Sequence, residues 1–365
     1  MFDGAMPAER DSWSSRNEHW ISETCKAAKS RRRRERRKEP LILCGHGVSL
    51  RVDGGTLLIR NGLTHYPQQR EEFRLFKGEP AIPPRIIMLD GSGCITFDVL
   101  DWLAEQRVPL VRINWQGEAV SVIAGSGFAA DREKVRWQTE TRADPGRRME
   151  FATQLIRRKI AASIETLEAV ISEATPRDTA LVRLHRELDG LTARRPDSVP
   201  DLFGIEGRAA AAYFKAWEGI PLRWRSTGRR PIPDSWQTIG PRAAIRSGRA
   251  KNARASHPLN AMLNYALAIL QSQVQIEAVA AGYDPTLGIM HNGYQGSPAW
   301  VFDLMEPSRP KVDAAVLRFA LAETFSPADF VLRADGVVRL APQLARRVCQ
   351  LDDARATAWG SNNDR

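Results

Sequence analysis

Hydrophobic residues change period once along this chain, and the change falls at Gly125-Ser-Gly127. Before it, apolar side chains come in short alternating runs bounded by glycine, as strands do. After it they recur every three or four residues, as helices do. A pattern segregated in this way predicts an α+β protein, with a small β-rich N-terminal domain over 41–125 and a larger all-α domain over 126–350. At 365 residues the chain is long for a single core, so two domains are also expected from size.

Within the first part, residues 49–60 alternate about Asp53-Gly54-Gly55, a hairpin signal. Residues 85–89 read as a further strand ended by Asp90-Gly-Ser-Gly93. Gly91-Ser-Gly93 lacks the lysine and the remaining glycines of a phosphate loop and predicts a plain turn. Phe97, Leu100 and Leu103 predict one short helix over 96–105, and 110–113 and 119–123 predict two more strands about Gln116-Gly117. In the second part Phe151, Leu155, Ile156, Lys159, Ile160, Ile164, Leu167 and Ile171 mark a long amphipathic helix ending near Thr175-Pro176. Helices are also expected over 179–191 and 200–217, from His257-Pro258 to about Gly282, and over 299–347 with a break near Asp335-Gly336.

The net charge of +10 is unevenly placed. Residues 26–38 carry nine basic side chains against Glu35, and residues 223–254 carry nine against Asp234, while the remainder of the chain is net acidic. Two concentrated basic segments suit a polyanion partner. Residues 1–40 are too poor in aliphatics to fold alone and predict a disordered basic tail, with Trp13 and Trp20 as candidates for docking. The Arg run in this tail fits a nonspecific DNA contact or a solvated segment equally well. Residues 351–365 form a second tail. The 223–254 segment predicts a long loop in which Arg229, Arg230, Arg242, Arg246, Arg249 and Lys251 are candidate DNA contacts. Its Trp224 and Trp236 suit either base stacking or pinning of the loop to the core.

The four cysteines, Cys25, Cys44, Cys94 and Cys349, are far apart and show no CxxC spacing, which points to free thiols in a reducing cytoplasm rather than a disulfide framework or a zinc site. No apolar stretch approaches the ~18 residues that span a bilayer, and no secretory leader is visible, so a cytoplasmic location with no membrane partner is expected.

The segment from His291 to Asp313 holds an imidazole, a Gly-rich connector and three carboxylates. Asp303 and Glu306 are three apart and share a helix face, and Asp313 returns to nearly the same side. A histidine entering from a loop toward such a face is a candidate site for a hard divalent metal, although carboxylates at this spacing commonly sit on a solvated face.

Four blocks together carry a more specific signal. They are Ile205-Glu206-Gly-Arg-Ala-Ala-Ala-Ala-Tyr-Phe214, Pro258-Leu-Asn-Ala-Met-Leu-Asn-Tyr265, Gly282-Tyr-Asp-Pro-Thr-Leu-Gly-Ile-Met-His291 and Phe302-Asp-Leu-Met-Glu-Pro-Ser-Arg-Pro-Lys-Val-Asp313. In this order and spacing the chain resembles the CRISPR-associated integrase that captures new spacers, the Cas-one family. The likeness covers 41–350 and begins at Leu41-Ile-Leu-Cys-Gly-His-Gly-Val-Ser-Leu-Arg-Val.

The resemblance implies a metal-dependent DNA endonuclease and integrase, a homodimer joined through the β domains, and assembly with a small ferredoxin-like adaptation partner on double-stranded and branched DNA. By motif position it implies catalytic and metal-ligating roles for Glu206, His291 and Glu306, with Asp303 as a supporting or alternative ligand, and Mg²⁺ or Mn²⁺ as the ion. Asn292, Gly293, Tyr294 and Gln295 stand where family members often carry a basic residue, and Pro307 directly after Glu306 predicts a kink. A DNA-binding scaffold of weakened activity, and an integrase of a mobile element, remain as alternative readings.

Overall fold

The computed structural model describes residues 11–27, 35–123, 130–228, 230–241, 255–293 and 297–351. The α+β segregation is present in it. Strands β1 (Leu41–Asp53), β2 (Thr56–Arg60), β3 (Glu72–Leu75), β4 (Ile86–Ile95), β5 (Leu110–Ile113) and β6 (Ala119–Ile123) form one mixed sheet in the order β3-β2-β1-β4-β5-β6. The β1–β2 hairpin turns at Gly54-Gly55, both with left-handed φ, a conformation glycine adopts without steric cost. The β4 strand pairs in parallel with β1 and β5.

Residues 91–93 are not the turn expected of them. They continue β4, paired with β1 across two register shifts. At Gly91 a Cβ would overlap the Gly45 carbonyl, and at Gly93 the Val48 carbonyl. The glycines are there because two bulged strands cross with no room for side chains.

Alternation along the strands divides the sheet into two faces. Leu41, Leu43, Leu50, Leu57 and Leu110 pack under α2 (Phe97–Glu105) through Val99, Trp102 and Leu103. Ile42, Cys44, Ile87, Leu89, Val111 and Ile113 join the core of the helical region instead. The two regions therefore share a core. The boundary expected at 125/126 lies outside the described residues.

The helical region contains α3 (Arg132–Ala143), α4 (Pro145–Val170), α5 (Thr175–Ala193), α6 (Val199–Lys215), α7 (Pro258–Ala280), α8 (Ala299–Met305), α9 (Arg309–Ala322) and α10 (Pro342–Val348). The α7 helix is apolar nearly all round, with Leu259, Met262, Leu263, Ala266, Ile269, Leu270 and Val274 buried, and it forms the centre of the region, as its composition requires. The region is not all-helical. Two-residue strands β7 (Arg223–Trp224) and β8 (Thr324–Phe325) pair in parallel, and β9 (Phe330–Leu332) pairs with β10 (Val338–Leu340) about Gly336. Strands this short leave no period-2 signal in sequence. None of the described helices is long and apolar enough to cross a membrane.

Part of the expected disordered tail is ordered. Residues Trp13–Ala27 form α1, whose Arg16 is 1% exposed and whose Trp20 is fully buried. Both donate to the buried carboxylate of Asp329: Arg16 through Nε and Nη2 at 2.8 Å each, Trp20 through Nε1 at 2.7 Å. Trp13 Nε1 donates to the Thr64 carbonyl of the sheet region at 2.9 Å. The helix is thus stabilised by polar side chains that meet a distant partner, a gain that aliphatic content does not register. Residues 28–34, with the Arg31–Arg34 run, and 352–365 lie outside the described residues.

A second polar tie joins sheet and helices. Arg346 of α10 donates to Glu71 at 2.6 and 3.2 Å, and Asn61 Nδ2 donates to the same carboxylate at 2.5 Å. Burial alone would raise the Glu71 carboxyl, but Arg346 and Asn61 outweigh it and hold the group below its ordinary value of 4.5. A lowered folded value means that the unfolded chain binds the proton more readily, so this contribution is complete above about pH 4.5 and is lost as pH falls below it. Thermal unfolding from pH 6 down to pH 3 is expected to show a falling Tm. Glu71→Gln should remove part of that slope, and an unaltered slope would show that the pair does not contribute.

Candidate active site

Pro307 decides the local course of the chain. It has no N–H to donate, so α8 stops at Met305, tightens into a 3-10 turn over Glu306–Ser308 and resumes as α9. The turn carries Glu306, 3% exposed, to the side of α4. Glu206 comes from the middle of α6, which begins at the capping Ser198 Oγ. Between the two lies Lys159 of α4. Its Nζ is 2.5 Å from Glu206 Oε1 and 2.6 Å from Glu306 Oε2. Arg309 Nη1 is 3.6 Å from the other oxygen of Glu306. Burial would raise the Glu306 carboxyl, but Arg309, Lys159 and His291 together hold it below the usual carboxylate range, so it is anionic at neutral pH.

His291 enters from the loop before α8, and that loop is held by its backbone. The Asp303 carboxylate, completely buried, accepts from the amides of Ile289, Met290 and His291 at 2.6, 3.0 and 2.9 Å. The same group lies 2.7 Å from His291 Nδ1. The loop's carbonyls are taken from the other side: Arg142 of α3 donates to those of Gly288 and His291, and Arg148 of α4 to those of Ile289 and Met290. Trp300 stacks on Phe151 behind the loop with ring centroids 5.5 Å apart.

An ionised carboxylate only accepts hydrogen bonds, so Nδ1 of His291 carries the proton. Nε2 lies 4.0 Å from Glu306 Oε1. A histidine whose second nitrogen donates to a carboxylate is the usual arrangement of a metal ligand. With two carboxylates beside it, the donor set suits a hard divalent ion. Among the described residues no three acidic, histidine or cysteine side chains stand at ligating distance, and the Lys159 ammonium lies between the two carboxylates.

Lys159 thus joins Glu206 to Glu306, and His291 lies on the far side of Glu306. Both Asp303 oxygens are engaged with the His291 loop. Asp313 is buried and 3.4 Å from Tyr213 Oη, behind the group. Of the candidate DNA contacts Arg230 is exposed, whereas Arg229, Arg242, Arg246, Arg249 and Lys251 lie outside the described residues. Trp224 and Trp236 stack on each other at 5.9 Å, and Trp236 is buried, so this pair pins its loop to the core. The sequence alone assigns no role to Lys159, Arg142 or Arg148. A lysine within an apolar stripe was the signal for the first. The two arginines gave none, because their acceptors are backbone carbonyls.

The family described as CRISPR associated protein Cas1 matches residues 41–351. A CRISPR-associated endonuclease Cas1 of Archaeoglobus fulgidus is 28% identical over 328 residues, spanning 86% of this chain and 84% of its own. Among solved structures, a casposase bound to its integration product superposes with a TM-score of 0.68 at 22% identity, over 85% of this chain and 80% of that one. The Cas1-containing chain of a Cas6-RT-Cas1–Cas2 complex gives 0.58 at 17% identity, over 88% of this chain and 32% of that one. These two likenesses concern the fold. With the match running through both the sheet and the helical region, the chain belongs to the family of CRISPR associated protein Cas1.

Proposed function

We propose that this protein is a DNA endonuclease and integrase that inserts new spacer DNA into a CRISPR array, with Glu206, His291 and Glu306 holding a Mg²⁺ or Mn²⁺ ion. The observation that carries the proposal is the meeting of these three side chains, with His291 Nδ1 fixed on Asp303, in a chain of this family. A bound ion would polarise a phosphoryl oxygen and ease deprotonation of an attacking hydroxyl.

The protein's own residues do the rest. Asp303 fixes the His291 ring with Nδ1 on its carboxylate and Nε2 toward Glu306. Arg309, one third exposed beside Glu306, is placed to pair with a phosphate. In strand transfer a 3′-hydroxyl oxygen forms a bond to phosphorus as the bond from phosphorus to the leaving 3′-oxygen breaks, and the hydroxyl proton passes to solvent or to the leaving oxygen. With water as the attacker the same displacement is endonucleolytic. No covalent enzyme intermediate is required. Double-stranded and branched DNA are the substrates of this reading, in the cytoplasm. A homodimer and a ferredoxin-like adaptation protein are its partners, in keeping with the Cas1–Cas2 complex among the similar folds. The exposed Arg230 and its basic segment supply the DNA contacts.

The test is strand transfer and branched-DNA cleavage by the full chain with Mg²⁺ or Mn²⁺. Glu206→Ala, His291→Ala and Glu306→Ala are each expected to lower the rate by about a hundredfold or more, as loss of several kcal/mol of charge stabilisation implies. EDTA should abolish activity, and Mn²⁺ should restore it. Variants that turn over like wild type would refute the assignment.

A further inference from the structure

Lys159 occupies an unusual position for a charged side chain. It belongs to the apolar stripe of α4, between the buried Ile156 and Ile160, and is only 17% exposed. Its ammonium is shared by the two carboxylates proposed above as ligands. One positive charge between two buried or half-buried anions relieves the repulsion they would otherwise suffer. A divalent ion bound by the same oxygens would serve the same electrostatic purpose, and it could not share that place with an ammonium.

The fold provides somewhere for the lysine to go. A cavity of about 260 Å³ adjoins the site, lined in part by Lys159, Ser163, Glu206, Tyr213, Arg309 and Asp313. A water needs only ~10–15 Å³ measured the same way, so the cavity has ample room for the end of a lysine. Asp313, a buried carboxylate, forms part of its wall. A lysine stem has four rotatable bonds, and side-chain rotation alone could carry the ammonium from one set of oxygens toward the other.

We infer that Lys159 is the resident counter-cation of this site: it holds Glu206 and Glu306 together before a divalent ion arrives, and withdraws into the adjoining cavity toward Asp313 when the ion takes their oxygens. The inference rests on the metal reading of the site given above. It makes Lys159 a positioning residue that competes with the ion. The ion's affinity is then set by the exchange of one cation for another, and the acidic side chains are already gathered when it binds.

Lys159→Met keeps the aliphatic stem and removes the charge. In EDTA the full-length variant should unfold at a lower temperature than wild type, and adding Glu206→Gln and Glu306→Gln should restore most of the loss, because the repulsion is then gone. In a titration followed by the free-ion Mn²⁺ EPR signal, Lys159→Met should bind Mn²⁺ about tenfold more tightly than wild type, the effect of removing a competitor of ordinary ion-pair strength. Asp313→Asn should bind it more weakly than wild type, since the displaced ammonium loses an acceptor. Equal or weaker Mn²⁺ affinity in Lys159→Met would overturn the inference and leave the metal reading standing. Absence of Mn²⁺ binding by both wild type and Lys159→Met would overturn the metal reading, and the inference with it.

Discussion

Asp303→Asn is expected to lower strand transfer by roughly 10²- to 10⁴-fold, although Asp303 touches neither substrate nor ion in the proposed mechanism. The argument is one of tautomers. As a carboxylate, Asp303 accepts from three backbone amides and stands beside His291 Nδ1 at 2.7 Å. An asparagine of the same shape has one accepting oxygen and one donating nitrogen. If the nitrogen faces the imidazole, Nδ1 must become the acceptor and the neutral ring carries its proton on Nε2, the nitrogen that a bound ion would need free. If the oxygen faces the imidazole instead, the nitrogen meets the amides of Ile289 and Met290, donor against donor. Mn²⁺ affinity and strand-transfer rate should fall together, with the circular dichroism spectrum preserved. Wild-type rates in this variant would mean that Asp303 only shapes the loop.

The second large effect concerns stability. Asp329→Ala is expected to cost about 3–5 kcal/mol, the usual consequence of leaving one member of a buried ion pair alone. Asp329 is fully buried and receives hydrogen bonds from Arg16, from the Trp20 indole and from the backbone amide of Ser326. Removing it leaves a guanidinium that is 1% exposed without its carboxylate, and α1 should detach. Denaturant unfolding would show the loss as a lower midpoint, and limited proteolysis would cut within residues 11–27 before the rest of the chain. A combined Arg16→Met and Asp329→Leu substitution should recover much of the stability, because apolar groups of similar volume need no partner in that pocket. A single variant as stable as wild type would show that α1 is held by its tryptophans alone.

These two carboxylates mark what sequence did and did not disclose. The α+β division was legible because hydrophobic period is a local property, and α4 to α7 were legible for the same reason. The α1 helix was not, since its main anchor, Asp329, lies more than three hundred residues away, and composition alone made the segment look too polar to fold. The glycines of β4 read as a turn because a glycine needed for close strand crossing and a glycine needed for a bend are the same letter. The proposed ligands Glu206, His291 and Glu306 come from the family resemblance, since their spacing alone suits a solvated helix face as well. The kink at Pro307 was foreseen, and its use was not: it turns Glu306 toward α4, where an uninterrupted helix would have continued past it. Lys159 reads in sequence only as a position on a helical stripe, because its partners come from two other elements.

The loop that bears His291 is gripped through its amides by one carboxylate and through its carbonyls by two guanidinium groups. Grips of this kind are indifferent to the identity of the residue being held. Ile289 and Met290 could be exchanged for other residues of suitable size while the imidazole stayed in register, whereas Asn292, whose Oδ1 accepts from Arg142 at 2.8 Å, and Gly288, where a Cβ would lie 2.7 Å from Ala299 Cβ, could not. His291 is thus largely insulated from mutational drift at Ile289 and Met290, and its position is vulnerable at three residues scattered over other helices: Arg142, Arg148 and Asp303.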